Sequence, residues 1–332
     1  MGSDDVPIII NEEALTEAFV PTRLLHREGQ IRELERCLKP ALKNRSIENI
    51  FLMGTSGTGK TTITKWILEN YFKGISAYVN CWKYRTTHEV LKEILLELQI
   101  PAHGREPTGE LIKSLEKIVK KRKVIVCLDE VDRLDDFDLL YLLARSGYGL
   151  ILISTRCHVL ASLTSRIRSS LALTEIEFPP YKTDELYDII RDRVEYAFRP
   201  GSLKNEFIKL ASVAAQGDAR AGLEIVRKAG KKAEVRYLNE VTIRELEETV
   251  NEMNKLKKIY PFDKLNEHQK VIYNILEKNR KMQSGLLYNE YRRLVNSPVV
   301  DRAYRNYMRR LVNFGLIKSE GRGRWKIYEL PT

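Results

Sequence analysis

The stretch GTSGTGKT, residues 54–61, decides how the rest of the chain is read. It matches G-x-x-x-x-G-K-[ST], a loop whose backbone N–H groups cradle the phosphates of a nucleoside triphosphate. Gly54, Gly57 and Gly59 allow the tight turns that aim those N–H groups inward. Lys60 is the cation for the β- and γ-phosphates, and the Thr61 hydroxyl is a Mg²⁺ ligand. Gly57, Thr58, Gly59, Lys60, Thr61 and Thr62 form the candidate phosphate-binding set. An apolar strand is predicted just before the loop, over 49–53. A helix is predicted after it, over 62–71, with Ile63, Trp66, Ile67 and Tyr71 at helical spacing. Its N-terminus brings a positive dipole end to the same place. A chance glycine turn does not arrive with both flanks in order, so a bound nucleotide is expected.

A second anchor lies about seventy residues on, in VIVCLDE at 124–130. Five apolar residues ending in Asp-Glu describe a buried parallel strand that carries two carboxylates to its C-terminal edge, where open α/β sheets bind ligands. Asp129 is the candidate metal ligand beside Thr61, and Glu130 the group that polarises the attacking water. Further strands are predicted at 77–81, 149–154 and 173–178, with Thr155 just past the second of these. Between 82 and 123 the chain is too long for a minimal crossover. A two-helix insertion is expected there, capped at Thr87 and Thr108, with Arg105 at the tip of its connecting loop. Residues 1–22 read as an irregular lead-in, and 23–42 as a helix with Ile31, Leu34, Leu38 and Leu42 on one face. The segment FVPTRLLHRE, 19–28, reads as packing for the entrance to that helix.

From 183 the pattern is helical, over 183–198, 203–215, 218–235 and 242–258. Gly217 ends one helix and Asp218 caps the next, which puts Arg220 in a first turn where a cation opposes the dipole. Residues 260–263 resemble a linker. Helices at 267–279, 284–294 and 300–313 follow, then a hairpin with arms at 316–319 and 325–330. Three helices and a hairpin are the winged-helix plan. Arg302, Arg305 and Arg309 form a basic stripe on the third helix, with Ala303, Tyr307 and Leu311 opposite, and Arg322 and Arg324 sit on the hairpin turn. These arginines are the candidate DNA contacts.

Composition agrees with a soluble globular chain of two or three domains: 332 residues, 43% hydrophobic and 30% charged. No apolar run approaches the roughly 18 residues of a membrane span, and MGSDDVPIII lacks the basic start of a secretory signal. Cys37, Cys81, Cys127 and Cys157 have no C-x-x-C spacing and read as core residues of a reducing, cytoplasmic compartment. Charge is uneven. Residues 264–332 hold 15 Lys/Arg and 6 Asp/Glu, a net +9, while the other 263 residues hold 41 and 39, a net +2. A polyanion is the first candidate partner for the basic end.

The combination resembles the archaeal origin-recognition and cell-division-control (Orc/Cdc type) replication initiators, which are AAA+ ATPases. The resemblance runs from about Phe19 to Leu330 on FVPTRLLHRE (19–28), GTSGTGKTT (54–62), VIVCLDEVDRL (124–134), SRIRSSL (165–171), PPYKTDELYDIIRDRVEYAF (179–198), GDARAGLEIVRKAG (217–230) and the C-terminal tail. It implies an α/β P-loop (AAA+) base with a parallel sheet over 1–180, an all-α lid over 181–259 and a winged-helix domain over 260–332. The insertion 82–123 corresponds to the family's helical initiator-specific motif, which touches DNA. By the same resemblance Arg220 contacts the γ-phosphate, Tyr181 and Arg193 lie at the nucleotide, and Arg166 is offered to a neighbouring subunit. The cofactors implied are ATP or ADP with Mg²⁺. The partners implied are duplex origin DNA, initiator paralogues on adjacent sites and the replicative minichromosome-maintenance helicase, with no membrane.

Two departures from the family pattern bear on activity. Thr155 stands where the family usually has Asn, and a residue without an amide positions water less well, so hydrolysis is expected to be slow. Thr164-Ser165 replaces the usual Asp-Pro before Arg166, which bears on any action of that arginine in a neighbouring subunit. The sequence leaves open whether the site works as an enzyme or as a switch. The expected function is an ATP-binding replication initiator. The rivals are a nucleotide-stabilised transcription regulator and an AAA+ signalling or clamp-loading ATPase.

Overall fold

The runs at 50–53, 125–129 and 149–154 are buried, all but the half-buried Met53, because they lie inside one parallel sheet covered on both faces. The computed structural model describes residues 7–101, 106–156, 159–263, 265–295, 297–313, 316–321 and 326–330, with backbone alone at 161, 255–263 and 313. It forms two compact units, 1–246 and 247–332.

In the first unit a helix α1 (Glu28–Leu38) precedes β1 (Ile50–Met53), α2 (Lys60–Tyr71) and β2 (Ser76–Asn80). Then come α3 (Thr87–Glu97), α4 (Thr108–Val119), β3 (Ile125–Asp129), α5 (Asp138–Arg145), β4 (Gly149–Ser154), α6 (Val159–Ser162), α7 (Ser165–Leu171) and β5 (Thr174–Glu177). Strand order is β2-β3-β4-β1-β5, all parallel, with Leu52 paired to both Ile153 and Ile176. The pleat divides the side chains by parity. Phe51, Leu128 and Leu152 face the core shared with α3, α4, α5 and α7, while Leu52, Cys127 and Ile153 face the one shared with α1 and α2. The loop after β1 and the end of β3 therefore share the C-terminal edge of the sheet.

The lid is built of helices: α8 (Thr183–Ala197), α9 (Asn205–Ala215), α10 (Ala219–Val235) and the start of α11 (Ile243–Asp263), whose residues from 247 on belong to the second unit. Gly222 lets α10 approach α8, since a Cβ there would lie 2.5 Å from Ile190 Cδ1. Asp218 caps α10 as expected, accepting from Ala221 N–H at 3.0 Å.

The second unit comprises α12 (Glu267–Asn279), β6 (Lys281–Gln283), α13 (Ser284–Leu294), α14 (Asp301–Asn313), β7 (Lys318–Glu320) and β8 (Ile327–Glu329), with an antiparallel sheet ordered β6-β8-β7. Its core joins Ile272, Leu276, Leu287, Leu311 and Ile317 to a cluster of Tyr288, Tyr291 and Tyr304, with ring centroids 4.6 and 5.1 Å from Tyr304. Among the described residues no helix is long and apolar enough to cross a membrane.

Several expectations are corrected. The helix read over 23–42 begins only at Glu28, and past Leu38 the backbone tightens into a 3-10 turn, Lys39–Lys43, that contains Pro40. The change from 3.6 to 3.0 residues per turn takes Leu42 off the buried face, leaving it 57% exposed. The cap of α3 is Thr86, reciprocally bonded with Glu89, and Thr87 is already helical. The cap position of α4 falls on Pro107, one residue before Thr108. Residues 260–263 are the last turn of α11. Proline removes one hydrogen bond near a helix end without stopping it, and no glycine marks an earlier stop. Strand β6 was not anticipated, because three residues carry no readable alternation. On α14 the buried seam is Tyr304, Met308 and Leu311, with Ala303 and Tyr307 only half-buried.

The lead-in is the largest difference. Residues 8–11 run along the lid: Ile9 bridges Phe198, Ile10 N–H donates to Ala197 O at 2.8 Å, and Arg199 N–H donates to Ile8 O at 2.9 Å. A 3-10 turn, Glu12–Leu15, buries Ala14 and Leu15. The segment is a strap held by backbone pairing, which leaves no periodic pattern in the side chains.

Candidate nucleotide site and basic helix

The phosphate loop joins β1 to α2 with its glycines in the left-handed region, Gly57 at φ +68° and Gly59 at φ +92°. Both positions are also closely covered. A Cβ on Gly57 would lie 1.8 Å from Asp218 Oδ1, and one on Gly59 would lie 2.5 Å from the Tyr181 hydroxyl. Thr58, fully buried, donates to Thr55 O at 2.9 Å and braces the turn. The Lys60 ammonium donates to Gly54 O at 2.8 Å and Thr55 O at 2.7 Å. Burial lowers its pKa, against the pull of Asp129 and Glu130. A buried cation in a ring of backbone dipoles is chemically suited to phosphate oxygens.

Thr61 donates to Asp129 Oδ2 at 2.7 Å, so the two candidate metal ligands are adjacent. Tyr78, which the sequence did not single out, donates to the same oxygen at 2.6 Å. Glu130 stands at φ +54° just past β3, and burial together with Asp129 and Asp132 raises its pKa. Thr62 is half-buried in the first turn of α2. Thr155 is exposed at the end of β4. Its neighbours are spent on Asp132: Ser154 donates to Oδ1 at 2.8 Å, and Arg156 Nε lies 3.4 Å from Oδ2.

The lid meets the loop directly. Ala219 N–H donates to Gly57 O at 3.1 Å, and Tyr181 N–H donates to Gly217 O at 3.1 Å. Arg220 Nη1 is 3.5 Å from Ser56 Oγ at the loop tip, and its Nε is 2.5 Å from Glu17 Oε1 on the strap. Arg27 is the residue the sequence reading undervalued. Only 4% exposed, it donates to Thr58 O at 3.3 Å and Pro179 O at 2.6 Å, with its guanidinium 3.8 Å from the Tyr181 ring centroid. It ties the phosphate loop to the lid entrance. The signal was its place in FVPTRLLHRE.

Two candidates lie away from the loop. Arg193, buried, donates to Ala14 O and Phe19 O at 3.2 Å each and stacks on Phe19 at 4.5 Å. Its donors are taken by the strap, so the structure does not bring it to the phosphate loop. Arg166, exposed on α7, lies over the Tyr141 ring at 4.2 Å. A hydrogen bond with that tyrosine raises its pKa. In the second unit Arg302, Arg305 and Arg309 are all exposed along α14, and Arg305 pairs with Asp301 one turn back. Arg105, Arg322 and Arg324 lie outside the described residues.

Strand–glycine loop–helix, a buried lysine and a Thr–Asp pair define a P-loop nucleotide-binding protein. Comparison with known proteins narrows this. The AAA domain family matches residues 45–163, and the Cdc6 AAA+ ATPase-type lid domain matches 187–251. The chain is 31% identical to the ORC1-type DNA replication protein 1 of Sulfurisphaera tokodaii, over 92% of this chain and 83% of that one. Among solved structures it resembles the Aeropyrum pernix ORC1 protein in complex with DNA, at TM-score 0.69 and 28% identity over 97% and 93% of the two chains. It also resembles the A. pernix ORC2 protein in ADPNP–ADP complexes, at TM-score 0.77 over 97% and 94% of the two chains, where 20% identity speaks to fold alone. The chain belongs to the ORC1-type DNA replication protein family, with an AAA+ base and an all-helical lid.

Proposed function

We propose that this protein is an ATP-binding replication initiator that recognises duplex DNA at origins. The observation that carries the nucleotide half is the docking of the first turn of α10 on the phosphate loop, through Ala219, Asp218 and Arg220. A triphosphate held by that loop is felt by the lid. Lys60 and the backbone of 57–62 hold the phosphates, the ammonium exchanging loop carbonyls for phosphate oxygens. Thr61 and Asp129 would hold Mg²⁺, which would supply positive charge to neutralise the phosphates. Glu130 accepts the proton of the attacking water with Thr155 beside it, and hydrolysis is slow. Arg220 reaches the γ-phosphate, Tyr181 closes the site near Gly59, and Arg193 secures the strap. Arg166 is left to a neighbouring initiator paralogue.

The second unit is read as the winged-helix part of a three-part chain divided at 180 and 259, with α14 as the helix that enters the major groove. At least one of Arg302, Arg305 and Arg309 reaches base edges there, and Arg322, Arg324 and Arg105 meet the backbone or minor groove. This half rests on family membership and on the exposed arginine face of α14. Helicase recruitment and a nucleoid-associated cytoplasmic location follow from the same reading. The test maps the protein's genomic binding sites alongside replication start sites in its host. Coincidence of the two is expected. Binding at promoters with altered transcripts and unchanged replication favours a transcription regulator, and absence of duplex binding leaves a signalling or clamp-loading ATPase.

A further inference from the structure

Strap, lid and phosphate loop converge on one guanidinium. Arg220 opens α10, where a cation opposes the helix dipole and gains nothing from its own helix. Its Nε is 2.5 Å from Glu17 Oε1, while its Nη1 lies 3.5 Å from Ser56 Oγ at the exposed tip of the loop. One edge of the fork therefore faces a carboxylate on the strap, and the other faces the loop built for a triphosphate. Both side chains are accessible, 47% for Arg220 and 62% for Glu17, so partners can exchange without disturbing a core. The backbone behind Arg220 is fixed on the loop by the Ala219–Gly57 hydrogen bond of 3.1 Å. Glu12, a second strap carboxylate paired with α10, is held by Arg227 at 2.7 Å and Lys231 at 2.5 Å.

We propose that Glu17 is the standing counter-ion of Arg220 and sets how strongly the site prefers ATP to ADP. With a diphosphate bound, Arg220 stays on Glu17. A third phosphate competes with that carboxylate for the same guanidinium, so part of its attraction is spent on displacing Glu17. Removing the carboxylate charge strengthens triphosphate binding and leaves diphosphate binding unchanged. A merely structural contact would move both together. The proposal rests on the nucleotide reading of the loop given above.

The experiment is isothermal titration of the full chain with Mg²⁺ and either ADP or the non-hydrolysable β,γ-imido analogue of ATP. It compares wild type, Glu17→Gln, Arg220→Ala, the Glu17→Gln/Arg220→Ala double variant and Lys60→Ala. Glu17→Gln is expected to raise the triphosphate-to-diphosphate affinity ratio about three-fold, the scale of an exposed ion pair. Arg220→Ala is expected to lower that ratio and to abolish the response to Glu17→Gln. A ratio unchanged or lowered by Glu17→Gln, while Arg220→Ala still lowers it, overturns the proposal and leaves the nucleotide reading intact. An Arg220→Ala variant with the wild-type ratio overturns the proposal as well. If Lys60→Ala binds both nucleotides as wild type does, the nucleotide reading fails, and the proposal with it.

Discussion

Around the phosphate loop the polar side chains are held by partners within the protein. Lys60 is on two carbonyls, Thr61 and Tyr78 are on Asp129, and Arg27 bridges Thr58 and Pro179. Along α14 the candidate side chains are the opposite: Arg302, Arg305 and Arg309 are exposed, and the pair described for Arg305 is with Asp301 of its own helix. The difference fits the two ligands proposed for these regions. A triphosphate is small, so the site must be preorganised in three dimensions to hold it. A DNA duplex is a long polyanion whose phosphates and base edges order mobile cations on arrival. Loss of one group should therefore be severe and local in the first region, and moderate and salt-dependent in the second.

The sharpest break would come at Glu130. Glu130→Gln should lower steady-state ATP turnover by about 100-fold or more, because the amide accepts no proton, while leaving nucleotide affinity near wild type. Phosphate-release assays at saturating ATP check this, and equal turnover in the two proteins would remove Glu130 from the reaction. Next is Arg27→Met, which leaves the carbonyls of Thr58 and Pro179 without their partner. A loss of about 2 kcal/mol in denaturant unfolding is expected, with a matching fall in nucleotide affinity. Stability and affinity both unchanged would mean the Arg27 bridge is incidental to the site. Arg305→Ala should cost roughly 1–3 kcal/mol on a preferred duplex, less on a scrambled one, with the salt slope little changed. Equal losses on both, with a shallower slope, would make it a phosphate contact instead.

What was legible in the sequence tracks the kind of chemistry. The loop could be read because Gly57 and Gly59 need φ values that other residues resist, and because Lys60 and Thr61 follow at fixed spacing. The β3 strand could be read because both of its faces are buried, so its apolar run ends cleanly at Asp129. The strap could not. It is held mainly by backbone bonds with Ala197 and Arg199 and carbonyls given to Arg193, and its ion pairs through Glu12 and Glu17 are isolated, so residues 8–19 carry no periodic pattern. Arg27 was hidden for a related reason, since its partners are carbonyls and an aromatic face with no carboxylate to betray a pair. On α14 the stripe of arginines was visible, but the packing seam runs through Tyr304 and Met308, one residue on from Ala303 and Tyr307, a rotation of the helix face that a mixed row of tyrosines does not reveal. Polar chemistry with fixed spacing shows in a sequence, and backbone-mediated assembly does not.

The most direct measurement is the melting temperature of wild type and Lys60→Ala across a titration of Mg²⁺–ATP. At ligand a hundred-fold above its dissociation constant the wild type should gain about 2.7 kcal/mol of stability, and its melting temperature should climb with ligand concentration. Lys60→Ala, deprived of the buried ammonium, should show no such climb. Identical curves for the two proteins would contradict the account at its centre.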